Sequence, residues 1–205
     1  MKRQKVFTVL VIAIIGVTII NFLNVGENSD EYLERISEYR KSRNGYMISS
    51  SSPMSQEDKR NFSGLKYYPV DETFVVTAKV VPVARKQPIF IPTTTGESKK
   101  YIPWGYAEFE LKGANHKLLL YQDWEETNPS LLSLMFADDT SGDATYGGGR
   151  YIEVTKSGGN TIVIDFNLAY NPFCHFNDEY SCPIPPRENL LNVAIEAGEK
   201  LYKDI

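Results

Sequence analysis

Between Tyr146 and Asn189 the chain gathers most of the side chains able to do chemistry. Both cysteines, Cys174 and Cys182, lie there, as does His175, one of two histidines. With them come Arg150, Asp165, Asn167, Tyr170, Asn171 and Glu188, set among Gly147-Gly148-Gly149, Asn171-Pro172 and Pro185-Pro186. Three kinds of thiol chemistry fit these residue types. A disulfide between Cys174 and Cys182 would close a short loop and contribute about 2–3 kcal/mol, given an oxidising compartment. A metal site would take Cys174, His175 and Cys182, but zinc sites favour two cysteines two to four residues apart. In an extended segment the adjacent Cys174 and His175 also point to opposite sides. A nucleophilic cysteine needs a positioned base, for which only His116 and His175 are available. A structural role, as a disulfide or as buried thiols, is the expectation, with no metal and no cofactor.

The glycine triplet before Arg150 permits an anion-binding nest of backbone N–H groups. It lacks the Gly-Lys-Ser/Thr ending of a phosphate loop, and the residues after it read as a strand. A tight turn into that strand is the simpler reading. Asp165 ends a later strand. An acid there acts as general acid or base if desolvated, or accepts hydrogen bonds from a loop, or pairs with an arginine. Arg150 is the expected partner, because the two strands read as one hairpin. Glu188, with Asn189, fits the first turn of a helix, where an acid complements the dipole.

These residues need a framework. A capping box of Asn28 and Glu31 opens a largely charged helix that Asn44-Gly45 stops. Ser55 with Asp58 starts one further helical turn. From Tyr67 the period becomes two: strands are expected at Thr73–Val83, Pro88–Thr95, Ala107–Leu111, Lys117–Gln122, Leu131–Phe136, Arg150–Thr155 and Thr161–Phe166. Gly113-Ala114-Asn115 and Ser157-Gly158-Gly159-Asn160 read as hairpin turns. After Pro186, Leu190, Leu191, Ala194, Ile195, Gly198, Leu201 and Tyr202 fall on one helical face, which predicts a C-terminal amphipathic helix.

The N-terminus has its own pattern. Lys2, Arg3 and Lys5 precede an uncharged run, Val6–Leu23. As a helix it spans about 27 Å, close to a bilayer's hydrocarbon thickness. Basic residues before it and none just after place the N-terminus in the cytoplasm. The bulky residues Asn21 to Val25 do not suit signal cleavage, so an uncleaved anchor is expected over a removed signal peptide. Residues 1–25 then form the anchor and 26–205 an extracytoplasmic domain. All 26 acidic residues but only 19 of the 22 basic ones lie beyond residue 25, giving that part a net charge of −7. Such a domain repels nucleic acid and anionic headgroups. Hydrophobic residues make up 42% and aromatic ones 12%, enough for a real core and too many for a disordered chain.

The runs FADDTSGDATYGGGRYIEV, IDFNLAYNPFC, YSCPIPPRENLL and IEAGEKLY resemble the bacterial domain-of-unknown-function family 1684, and Ser52–Asp71 resembles its N-terminal part. The resemblance covers about Asp30 to the end. It implies an exported or envelope-associated protein of no established activity. It also makes Arg150, Asp165, Asn167, Tyr170, Asn171, Cys174, Cys182, Pro186, Glu188 and Asn189 motif positions, while His175 departs from the pattern.

The sequence thus predicts an α+β protein: a mainly antiparallel sheet or partly closed barrel, with an N-terminal helix, a C-terminal amphipathic helix and one transmembrane helix ahead of them. Its expected place is the bacterial cytoplasmic membrane, single-pass, with the bilayer as partner through residues 6–23. Three functions stay open. One is an envelope binding or accessory module taking a small polar ligand or envelope component near Arg150, Asp165, Asn167, Tyr170, Asn171 and Glu188. Another is a hydrolase using carboxylates there. The third is a purely structural polar motif.

Overall fold

The computed structural model describes residues 28–156 and 159–203. The expected anchor, Val6–Leu23, and the domain boundary after residue 25 lie outside them. By contacts the chain divides into residues 1–38 and 39–205. Helix α1 (Ser29–Met47) runs across this division. At its start Asn28 Oδ1 accepts from the Glu31 N–H at 2.9 Å, and Glu31 Oε2 accepts from the Asn28 N–H at 3.4 Å. This reciprocal pair satisfies two donors that the first turn leaves open. A second short helix, α2 (Gln56–Arg60), is capped by the Ser55 hydroxyl on Asp58 N–H.

Seven strands follow among the described residues: β1 (Val75–Pro82), β2 (Ile89–Pro92), β3 (Ser98–Leu111), β4 (Ala114–Asp123), β5 (Leu131–Phe136), β6 (Arg150–Thr155) and β7 (Thr161–Asp165). All named pairings are antiparallel, in the order β6-β5-β4-β3-β1-β7, with β2 added to the free length of β3. The sequence neighbours β6 and β7 are therefore the two ends of one path. The sheet curls until they approach, a nearly closed barrel without the last ladder. The β6–β7 hairpin expected from sequence is corrected by this: Arg150 pairs with Phe136 and Asp165 with Val75.

Alternation sets which residues fill the barrel. Val76, Ala78 and Val80 of β1, Ala107, Phe109 and Leu111 of β3, and Leu132, Leu134 and Phe136 of β5 point into one core with Ile152, Val154, Ile162 and Ile164. Leu191, Ile195 and Ala197 of the C-terminal segment enter the same core. A smaller cluster, Ile91, Tyr101, Leu119, Tyr121 and Met135, lies on the other face of the sheet.

The fold class is corrected at two points. No α-helix follows Pro186; only the 3-10 turn Arg187–Asn189 does, and residues 190–203 run as irregular chain among the described residues. Among the described residues the architecture is then mostly antiparallel β with two α-helices ahead of it, not α+β with a closing helix. No described helix is long and apolar enough to cross a membrane, so none of them serves as the expected transmembrane helix.

Asn189 explains a gap in the sheet. Between β4 and β5 the ladder holds the single registered pair Tyr121–Ser133. Beside it the Asn189 amide acts as a substitute peptide group. Its Oδ1 accepts from Leu119 N–H at 2.7 Å, and its Nδ2 donates to Leu119 O at 2.9 Å and Met135 O at 2.7 Å. Asn189→Ala leaves these three buried groups unmet, and we expect a loss of about 2–4 kcal/mol. Thermal unfolding checks the size, and amide exchange at Leu119 checks the place. An unchanged melting temperature would show that the three groups find other partners.

Candidate functional site

The polar residues singled out by sequence divide into two sets. Arg150 sits wholly inside the barrel at 0% exposure. Its Nη2 donates to Asp138 Oδ2 at 2.9 Å and Ile195 O at 2.8 Å; its Nη1 donates to Ala197 O and, at 3.3 Å, to Glu199 O. The carboxylate that pairs with Arg150 is thus Asp138, not Asp165. Asp138 Oδ1 also takes the N–H and hydroxyl of Thr140 and the N–H of Ile195. The Phe136 ring lies under the guanidinium, 5.3 Å from its centroid. Gly149 makes the approach to this hub. Its φ is +83°, and a Cβ there would lie 2.6 Å from Phe136 O and 2.5 Å from Pro185 Cγ. The glycine run is a turn into β6.

Asp165 ends β7 and caps the following 3-10 turn, accepting from the Asn167 N–H at 3.0 Å and side chain at 3.1 Å. Asn167, fully buried, clasps the backbone of Asp71 through both its Oδ1 and its Nδ2. Asn171 donates its N–H to Glu199 Oε2 and its side chain to Lys200 O. Glu199 is itself buried and meets Arg43 at 3.0 Å. Burial pushes the Glu199 carboxyl above its usual range, and Arg43 acts against that. Glu188 is exposed and lines none of the described pockets. Of the six expected ligand residues, Tyr170 lines described clefts.

The thiols also turn inward. Cys174 and Cys182 are free and buried, with the Cys174 N–H 3.1 Å from Cys182 Sγ. The hydrogen bond from Cys182 is the main reason that Cys174 is lowered to about 7, and Cys182 is raised in return. At 4% exposure Cys174 is shielded from solvent. His175 Nε2 accepts the Tyr202 N–H at 3.0 Å, its ring packs against Tyr146 and Phe176, and burial lowers it to about 4. It is a neutral, packed imidazole. No group of three metal-ligating side chains occurs among the described residues.

Residues 170–184 roof the outer face of the sheet. At one end Tyr170 and Tyr151 exchange backbone hydrogen bonds at 2.9 and 3.0 Å. At the other, Cys182 O accepts from Thr94 N–H and Ile184 N–H donates to Pro92 O, both at 2.9 Å. Tyr151 adds its hydroxyl to Pro183 O. Under this strap lies a cleft of about 330 Å³. Tyr101, Tyr151, Tyr170, Phe173 and Tyr180 line it, with Asp123, Glu153, Lys99, Ser133 and Ser181. Glu153 Oε1 accepts from the Tyr170 hydroxyl at 3.2 Å. Partial desolvation raises the Glu153 carboxyl, the hydrogen bond from Tyr170 acts against this, and Glu126 and Asp123 add to the rise. Such a cavity, aromatic with a few convergent polar groups, has the make-up of a small-molecule site.

None of Asp123, Ser133, Tyr151 and Glu153 was singled out by sequence reasoning. A signal for them existed. In β4, KLLLYQ is apolar at successive positions, and Leu118, Leu119, Leu120 and Tyr121 are all buried. A strand apolar on both faces has something lying over each of them.

With this geometry established, likeness to other proteins can be read. Residues 60–200 match the model of DUF1684, a protein of unknown function. The chain belongs to this family. A similar solved structure is that of an uncharacterized protein from Haloarcula marismortui, determined in solution by NMR. It is 30% identical, with a TM-score of 0.67, over 84% of this chain and 95% of that one. No curated protein matches. For this DUF1684 protein the biochemical role must therefore be argued from the cleft.

Proposed function

We propose that this DUF1684 protein is a binding module that takes a small polar ligand in the aromatic cleft over β3–β6. The observation carrying this reading is the cleft itself: five aromatic rings and two carboxylates around about 330 Å³, under a strap fixed at both ends. Of the residues expected from sequence, Tyr170 lines this cleft, while Arg150, Asp165, Asn167 and Asn171 bond to Asp138, Asp71, Glu199 and the segment 195–200. Those four act as an interior polar framework, which unites the structural reading with the binding one. Carboxylate-driven hydrolysis is the second reading. It is favoured by Glu153, whose carboxyl is held above its usual range by partial desolvation at the sheet surface, as a general acid requires.

The test is aromatic-resolved NMR of the full-length chain against a panel of amino acids, organic cations and simple sugars. Binding is expected to shift Tyr101, Tyr151 and Tyr170 together. Ser133→Trp, which fills the cleft, should abolish the shifts while the core resonances stay in place. Shifts that survive in Ser133→Trp would move the site elsewhere. Turnover of a bound panel member, lost in Glu153→Gln while binding persists, would select the hydrolase.

The setting belongs to the same proposal. The apolar run Val6–Leu23 behind Lys2, Arg3 and Lys5 supports attachment to the cytoplasmic membrane, with residues 26–205 on the outer side as an envelope accessory module. A periplasm-dependent reporter fused after Ile205 should be active; a silent reporter, with a cytoplasm-dependent one active, would reverse the orientation.

A further inference from the structure

We propose that the ligand of the cleft is an organic cation, of the quaternary or alkylammonium class. This rests on the reading of the cleft as a ligand site and names what the site selects. Two edge-to-face pairs line it: Tyr151 with Tyr170, at 6.0 Å and 74°, and Phe173 with Tyr180, at 5.3 Å and 79°. Rings set nearly at right angles offer walls from two directions, which is how aromatic side chains enclose an ammonium group. The negative face of each ring attracts the cation, and no hydrogen bond to the ring is required.

Charge points the same way. Asp123 and Glu153 line the cleft against a single cation, Lys99, so its lining carries one net negative charge when both acids are ionised. Neither acid forms an ion pair with a described residue; the partner of Glu153 is the Tyr170 hydroxyl and that of Asp123 Oδ1 is the Glu125 N–H. Both carboxylates are thus open to a cationic partner, and an ammonium ligand supplies the counter-charge. The chain already uses this chemistry on Tyr170 itself: the Arg43 guanidinium lies 4.8 Å from its centroid. An anionic ligand would meet the two carboxylates. A neutral sugar would gain from the rings but would leave Glu153 without a counter-charge.

The experiment compares two probes of the same shape on the full-length chain, by calorimetry and by the Tyr151 and Tyr170 resonances. Choline carries the charge; 3,3-dimethylbutan-1-ol replaces its nitrogen by carbon. Choline is expected to bind about tenfold more tightly than the alcohol. Glu153→Gln is expected to remove most of that preference while leaving the alcohol's affinity alone. Equal binding of the two probes overturns the cation assignment but keeps a ligand cleft. A sugar or amino acid that shifts Tyr151 and Tyr170 while choline does not also overturns the cation assignment. No shift by any probe, in a chain whose core resonances are native, overturns both this assignment and the binding reading beneath it.

Discussion

Arg150→Met is expected to destabilise the protein by about 3–5 kcal/mol, the usual result of removing one partner of a buried ion pair. The loss has three parts. Asp138 stays buried without its counter-charge. The carbonyls of Ile195, Ala197 and Glu199 lose their shared donor. The C-terminal segment loses the clamp that holds it against β6. Because Arg150 is absent from the cleft lining, the damage should be global in unfolding and weak in binding. Urea denaturation measures it, with the midpoint falling by roughly 2 M for a slope of about 2 kcal/mol per molar. The double variant Arg150→Met, Asp138→Leu should recover part of the loss, because it removes the stranded charge along with the pair. A single variant within about 1 kcal/mol of wild type would mean that Asp138 takes a proton and a new partner at little cost.

How much of this was legible depends on the range over which each residue acts. Local signals were readable: the Asn28–Glu31 capping box, the Ser55 cap and the period-two strands of β5 and β6 all depend on residues a few positions apart. Arg150 was legible as a special residue, but its partner was not. Pairing Arg150 with Asp165 assumed that β6 and β7, joined by a short turn, form a ladder. Barrel closure sends each to a different neighbour, and the carboxylate that arrives, Asp138, lies on the connection after β5. The cleft was hidden for a similar reason. Its acids, Asp123 and Glu153, are unremarkable in sequence, and only the strap at 170–184 makes a cavity over them.

Gly198→Ala is expected to cost about 2–4 kcal/mol, and it shows why the expected C-terminal helix is absent. Gly198 has φ +76°, and a Cβ there would lie 2.6 Å from Ala169 O and 2.8 Å from Phe166 O. An alanine adds the strain of a left-handed residue to an overlap with backbone. The neighbouring donors are already committed away from any helix. Glu199 N–H goes to Ala169 O, Lys200 N–H to Lys66 O and Leu201 N–H to Ala144 O. The burial pattern agrees: Ile195, Ala197, Glu199 and Leu201 are buried while Glu196 is exposed and Lys200 only half-buried, a period of two that the buried Gly198 interrupts. A charged residue at a buried position masked that period, and the apolar residues at 191, 195, 198 and 202 then mimicked a helical stripe. Gly45→Ala is the control, since it stands within α1 with nothing within 4 Å of an added Cβ. It should be neutral or raise stability by up to about 1 kcal/mol. If Gly198→Ala unfolds at the same temperature as Gly45→Ala, residues 195–201 can adopt another path, and the helical propensity of that stripe becomes the better guide to it.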